Sequence, residues 1–253
     1  MRTAALAVIV CFCVAPAILP AISAAPAGRI AGATQNPVCD RIIWEITHGQ
    51  YARALTQLDG APTNGGSEAS RANLRGLTRM LAGDTKRSIT DFDTALELEP
   101  SMAEARFNRA VALLKLGEYA PASKELATIY SGTSPLRARA AYHEALALDA
   151  MQKPAEAEAW LARALEADPQ LDDALFYSGV LKERRGDLQA AGRAYKAYLD
   201  RHPDSVGAML RFGVCAQRDG EIDTAKAYLE RVIKASPDSA EAAEARKFLV
   251  MWE

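Results

Sequence analysis

Three prolines, Pro169, Pro203 and Pro237, stand 34 residues apart, and a fourth, Pro100, precedes Pro169 by two such periods and one residue more. A period of this length marks a chain built from stacked supersecondary units, each too small to bury its own apolar face. Dividing the sequence at Gln35, Ala69, Ala103, Ala138, Asp172 and Val206 gives spacings of 34, 34, 35, 34 and 34 residues. The repeats so defined are 35–68, 69–102, 103–137, 138–171, 172–205 and 206–239, and 240–253 reads as a capping helix. Aromatic residues make up only 7% of the chain and no stretch alternates as a strand would, so stacked helices are expected.

Within this register the eighth position is Ile42, Gly76, Ala110, Ala145, Gly179, Gly213 and the twentieth is Ala54, Ser88, Ala122, Ala157, Ala191, Ala225. Both columns are almost entirely small, as a close crossing of two helices requires. The fifteenth position is Gly49, Gly83, Gly117, Gln152, Gly186 and Gly220, where a glycine can end a helix in the left-handed region. The twenty-fourth, Leu58, Phe92, Leu126, Leu161, Tyr195 and Leu229, supplies one large apolar anchor per unit, and the proline near position thirty-two stops the second helix. In repeat four Gln152 replaces the turn glycine and Pro154 follows as a breaker of another kind. The stretch Gly60 to Gly66 reads as a loop that shortens the second helix of repeat one and loosens that end of the stack.

These columns resemble the tetratricopeptide-repeat family over residues 35–253, and the segment from Arg75-Gly76 to the run Asp91 to Pro100 matches its pattern most closely. The resemblance implies an all-α, right-handed superhelical solenoid of about six helix-turn-helix repeats with a C-terminal capping helix. It also implies a concave groove lined by the first helices, with positions 2, 5, 6, 9, 12 and 13 facing inward. Carried onto this chain, position five includes Asn73, Phe107, Tyr142, Phe176 and Leu210, and position nine includes Leu77, Val111, Leu146, Val180 and Val214. Position six adds Asn108, His143, Tyr177 and Arg211. The groove is therefore expected to be a two-lane apolar ladder that docks a peptide or amphipathic helix. The alternative is that part of the ladder packs against the neighbouring repeat, since apolar residues at helical spacing serve the core as well. The Lys at position five and Asn at position nine of the family's carboxylate-gripping branch occur in neither column, which disfavours that class of partner.

The N-terminus reads differently. Arg2 is followed by an apolar run from Ala4 to about Ile22 and by Ala25-Pro26-Ala27, the signs of a secretory signal peptide over residues 1–27, with 28–34 a linker. An uncleaved anchor is the competing reading, against which Pro16 and Pro20 interrupt the run. Export would remove Cys11 and Cys13 and leave Cys39 and Cys215, placed in repeats one and six and so expected as free thiols. Contact with a membrane is expected only if the segment is retained.

With 30 basic and 32 acidic residues the chain offers no electrostatic footprint for nucleic acid. His48, His143 and His202 lie in different repeats without metal-ligand spacing. No phosphate loop and no nucleophile elbow occurs, and Asp91 and Asp93 read as ordinary solvated acids. The expectation is a non-enzyme with no cofactor and no metal: an adaptor in the periplasm or cell envelope that binds a protein or peptide partner. The alternatives are a holdase-type chaperone for exported chains and a scaffold subunit of a polysaccharide synthesis or export machine.

Overall fold

The computed structural model describes residues 37–60 and 67–250. The expected signal peptide, the linker, residues 61–66 of the first loop and the last three residues of the expected cap, 251–253, lie outside the described residues, as does the side chain of Cys39. Among the described residues there are thirteen α-helices, α1(Pro37–Thr47), α2(Tyr51–Gly60), α3(Glu68–Leu81), α4(Thr85–Leu98), α5(Ala103–Leu116), α6(Tyr119–Ser131), α7(Arg137–Ala150), α8(Pro154–Ala167), α9(Asp172–Arg184), α10(Leu188–Arg201), α11(Val206–Arg218), α12(Ile222–Ala235) and α13(Ala240–Leu249). Odd-numbered helices are the first of each hairpin and even-numbered helices the second. They fall into two compact units, one ending at Ala157 and the other beginning at Glu158.

Each hairpin turns at a residue in the left-handed region: Gly49, Gly83, Gly117, Gly186 and Gly220 have φ between 72° and 90°. Gln152 takes the same conformation at φ 64°, so the fourth turn has the geometry of the others without the residue that adopts it freely. Pro154 opens α8, where its missing N–H costs nothing. The connection from α6 to α7 has five residues where that from α4 to α5 has four, which locates the single inserted residue of the 35-residue spacing in the segment 132–136. Side-chain oxygens of Ser67, Asp84, Asp187 and Ser239 cap α3, α4, α10 and α13 by accepting from backbone N–H groups three residues on.

In the unit ending at Ala157, consecutive helices pack from α1 to α7, and the first helices α3, α5 and α7 also touch one another. The small column permits the close crossing: a methyl group on Gly76 would lie 2.7 Å from the Phe92 ring. Phe92, Phe107, Val111, Leu114, Leu126 and Ile129 form the core of this unit. In the unit beginning at Glu158, α11 packs on both α10 and α12, and α13 lies against α12 and α11. A methyl group on Gly179 would sit 2.6 Å from the Tyr195 ring, and one on Gly213 would sit 3.1 Å from Cγ of Leu229. Met209, Leu210, Val214, Leu229 and Val232 make its core.

Arginines hold the prolines that end the hairpins. The carbonyl of Pro100 accepts from Arg106 at 2.8 Å, that of Pro169 from Arg201 at 3.0 Å, that of Pro203 from Arg231 at 3.2 Å and that of Pro237 from Arg246 at 2.7 Å. A second device is ionic. Arg75 on α3 donates to Asp91 on α4 at 2.7 Å and lies 3.5 Å from Asp59 on α2, while Arg79 donates to the other oxygen of Asp91 at 2.7 Å. One repeat on, Arg109 bridges Asp93 and Glu125, both at 2.6 Å. The same positions recur, seven for the arginine and twenty-three or twenty-five for the acids. Asp91 is therefore not a solvated surface acid but a buried carboxylate, 2% exposed, and Asp93 is a half-buried member of the same ladder.

Candidate partner-binding faces

Where first helices of neighbouring repeats touch, as α3, α5 and α7 do, side chains at positions five and nine are pressed between helices. In the unit ending at Ala157, Leu77, Phe107, Val111, Tyr142, His143 and Leu146 are all buried. In the other unit, Tyr177, Val180, Leu210 and Val214 are buried as well. The apolar ladder expected as open groove is thus largely interior packing in the free protein. Large side chains at those positions fill the gap between successive first helices, and burial rewards them for doing so.

Four of the expected residues retain access to solvent: Asn73 and Asn108 in the first unit, Phe176 and Arg211 in the second. The two asparagines sit on adjacent first helices, α3 and α5, and are joined by a hydrogen bond of 2.9 Å from Nδ2 of Asn108 to Oδ1 of Asn73. Phe176 rests against the rings of Tyr195 and Tyr198, with centroids 5.4 and 5.2 Å away. Arg211 donates to Glu183 at 3.1 Å, and the same carboxylate oxygen accepts from the Tyr195 hydroxyl at 2.9 Å. Arg218 stands 4.0 Å from the other oxygen of Glu183. Burial, with Glu183 beside it, pushes the Tyr195 hydroxyl well above the usual phenol range. Cys215 is a buried free thiol, raised to about 12 by burial and by Glu183.

His143 is 1% exposed and wedged edge-on against Phe107 and Tyr142, each with its ring centroid 5.1 Å away. Its Nδ1 atom has no hydrogen-bond partner. Burial, aided by Arg139, lowers its pKa to about 3, so the ring is neutral. The next residue, Glu144, occupies position seven, where repeats two and three carry arginine. One of its oxygens accepts from Ser123 at 2.7 Å and the other is buried without a partner. Burial raises its pKa. Glu144, the ion ladder and the asparagine bond are additions to the expected residues, and of these only the ladder has a signal in the sequence, the Arg75, Arg109 and Asp91, Glu125 columns.

Sequence profiles described as tetratricopeptide repeat match residues 184–247 in one case and 73–131 and 142–206 in the other. The chain belongs to the tetratricopeptide-repeat family. The human protein O-mannosyl-transferase TMTC3 is 25% identical to this tetratricopeptide-repeat chain over 154 residues, 60% of this chain and 17% of that protein. Cellulose synthase operon protein C of Pseudomonas fluorescens (strain SBW25) is 36% identical over 64 residues, 25% of this chain and 5% of that protein. The chain thus spans only a small part of either curated relative. Among solved structures, PilW, described as a widely conserved type IV pilus biogenesis factor, matches with a TM-score of 0.73 at 20% identity, covering 87% of this chain and all of that one. Pseudomonas aeruginosa pilF matches at 0.71 and 18% identity, covering 83% and 95%. YrrB, described as a tetratricopeptide-repeat protein with an unusual peptide-binding site, matches at 0.56 and 21%, covering 78% and 97%. At these identities the likeness concerns the fold.

Proposed function

We propose that this tetratricopeptide-repeat protein is a non-catalytic scaffold of the periplasm or cell envelope that binds a protein segment on the inner face of its first helices. The observation that carries the reading is the pairing of a family fold devoted to protein contacts with polar and aromatic side chains left accessible on those helices, Asn73, Asn108, Phe176 and Arg211. The N-terminal apolar run supports export. Similarity to a pilus biogenesis factor and to a cellulose synthase operon protein supports the envelope, and similarity to YrrB supports a peptide as ligand. None of the helices described is long and apolar enough to cross a membrane.

A second reading, a scaffold subunit of a polysaccharide synthesis or export machine, is favoured by the 36% identity to cellulose synthase operon protein C. Photo-crosslinking in the native host, with the reactive group at Asn108 or Phe176 and a control at Arg163 on a second helix, separates these outcomes. One or two envelope proteins captured from the inner face alone establish the scaffold and tell a pilus partner from a polysaccharide one. Capture of many exported chains indicates a holdase. Capture from Arg163 alone sinks the inner-face reading, and recovery of the chain in the cytoplasmic fraction sinks the envelope assignment.

A further inference from the structure

We propose that the outer side of α13 joins two copies of this chain in an antiparallel, two-fold pair. The proposal concerns the far end of the second unit and goes beyond the scaffold reading of the inner face.

One side of α13 is committed to the fold. Ala242 and Ala245 are fully buried where the helix lies on α11 and α12, and Phe248 and Leu249 pack against the same core. Among the described residues no helix follows α13, so its other side has no cover. An open hollow of about 590 Å³ lies there, lined by Ala240, Ala243, Glu244, Lys247 and Phe248. These residues recur at intervals of three and four, the spacing of a single helix stripe, and all but Phe248 are exposed. Glu244 and Lys247 form no salt bridge among the described residues.

The order of residues along the stripe points to the occupant. A two-fold axis level with the midpoint between Ala245 and Arg246 sets Glu244 of each chain opposite Lys247 of the other. The same axis sets Phe248 opposite Ala243, so the one large apolar side chain of the stripe meets a methyl group and not a second ring. Parallel pairing would instead set each charge and each ring opposite its like. A partner of other sequence would have to carry this pattern in reverse, whereas a second copy carries it already. Ala240 and Ala243 let the two backbones approach to about 8 Å.

A contact of this self-complementary kind closes at two chains and does not propagate. Ten residues of helix are about 15 Å long, so the face is smaller than the roughly 1,200 Å² that stable complexes bury. The pair is accordingly concentration-dependent, half-formed at roughly 10 to 100 μM chain. A dimer presents two inner faces on one particle, and a ligand repeated along a larger assembly would be held by both.

The test is sedimentation equilibrium of the purified full chain across roughly a hundredfold range of concentration that spans this midpoint. Lys247→Glu and Glu244→Lys each set like charges against one another twice and should weaken the pair by about tenfold or more. Glu244 is within electrostatic reach of Arg211 on α11, so Lys247→Glu is the cleaner of the two. Mixed in equal amounts, the two variants should associate as well as the wild type does, because each new charge then faces its opposite. The double variant should do so alone. Arg87→Ala, on an exposed second-helix site, serves as the control. Both α13 sites are exposed, and far-UV circular dichroism checks each variant; should one fail to fold, Lys247→Gln or Glu244→Gln replaces it, with an expected loss of about threefold. A chain that stays monomeric throughout overturns the proposal. So does association that the single variants leave unchanged, and so does a loss in both that mixing does not restore.

Discussion

Glu144 and His143 are neighbours in α7, and each holds one buried polar atom without a partner. Their effects on stability run in opposite directions. Burial raises the pKa of Glu144, so the folded chain binds that proton more tightly than the unfolded chain does. Its contribution is complete below the ordinary value of 4.5 and is lost as pH rises through the folded value. Glu144→Gln should therefore stabilise the protein by about 1 kcal/mol near neutrality, and the gain should shrink towards pH 4 in thermal melts. His143 has its pKa lowered to about 3 from 6.5, so its contribution is complete above 6.5 and is lost as pH falls towards 3. His143→Phe keeps the packing against Phe107 and removes this loss. Denaturant titrations between pH 7 and pH 4 should show a flatter stability profile for the variant, by up to about 1.4 kcal/mol per pH unit.

At the scale of the element, some of the repeat was plain in the sequence and some was not. Proline at position thirty-two, glycine at fifteen and small residues at eight and twenty are dictated by backbone geometry and close approach, constraints that act locally and leave a residue-type signature. The all-α repeat class followed from them. The ladders at positions five and nine carried no such signature, because an apolar side chain looks the same whether it faces a ligand or the next first helix. Burial of Leu77 and Val111 is decided by neighbours one repeat away. Asp91 was misjudged for the same reason: its two arginines, Arg75 and Arg79, sit 16 and 12 residues back on the preceding helix. Asp91→Asn should lower stability by about 2–4 kcal/mol, since it leaves two arginines facing a neutral amide. Arg87→Ala, which loosens only an exposed pair with Asp84, should cost less than about 0.5 kcal/mol in the same assay. The fourth turn offers a gain: Gln152→Gly relieves a side chain from the left-handed region and should raise stability by about 1 kcal/mol, measured by thermal unfolding.

For the molecule as a whole, the helices within each unit pack chiefly on their neighbours in sequence, so opening is expected to begin at the helices that are shortest and have a neighbour on one side only. The second helix of repeat one has ten residues where that of repeat two has fourteen. Hydrogen exchange followed by mass spectrometry should find residues 37–60 losing protection before α5 and α6; uniform exchange along the first unit would contradict this. The neutral state of His143 reaches beyond stability. With that ring uncharged and no carboxylate, amine or guanidinium among the other side chains at positions five, six and nine of repeats two to four, a segment docking over them would neither take up protons nor release them near neutral pH. The heat of such an association, measured by calorimetry at pH 7, would be the same in phosphate as in Tris despite the very different ionisation enthalpies of the two buffers.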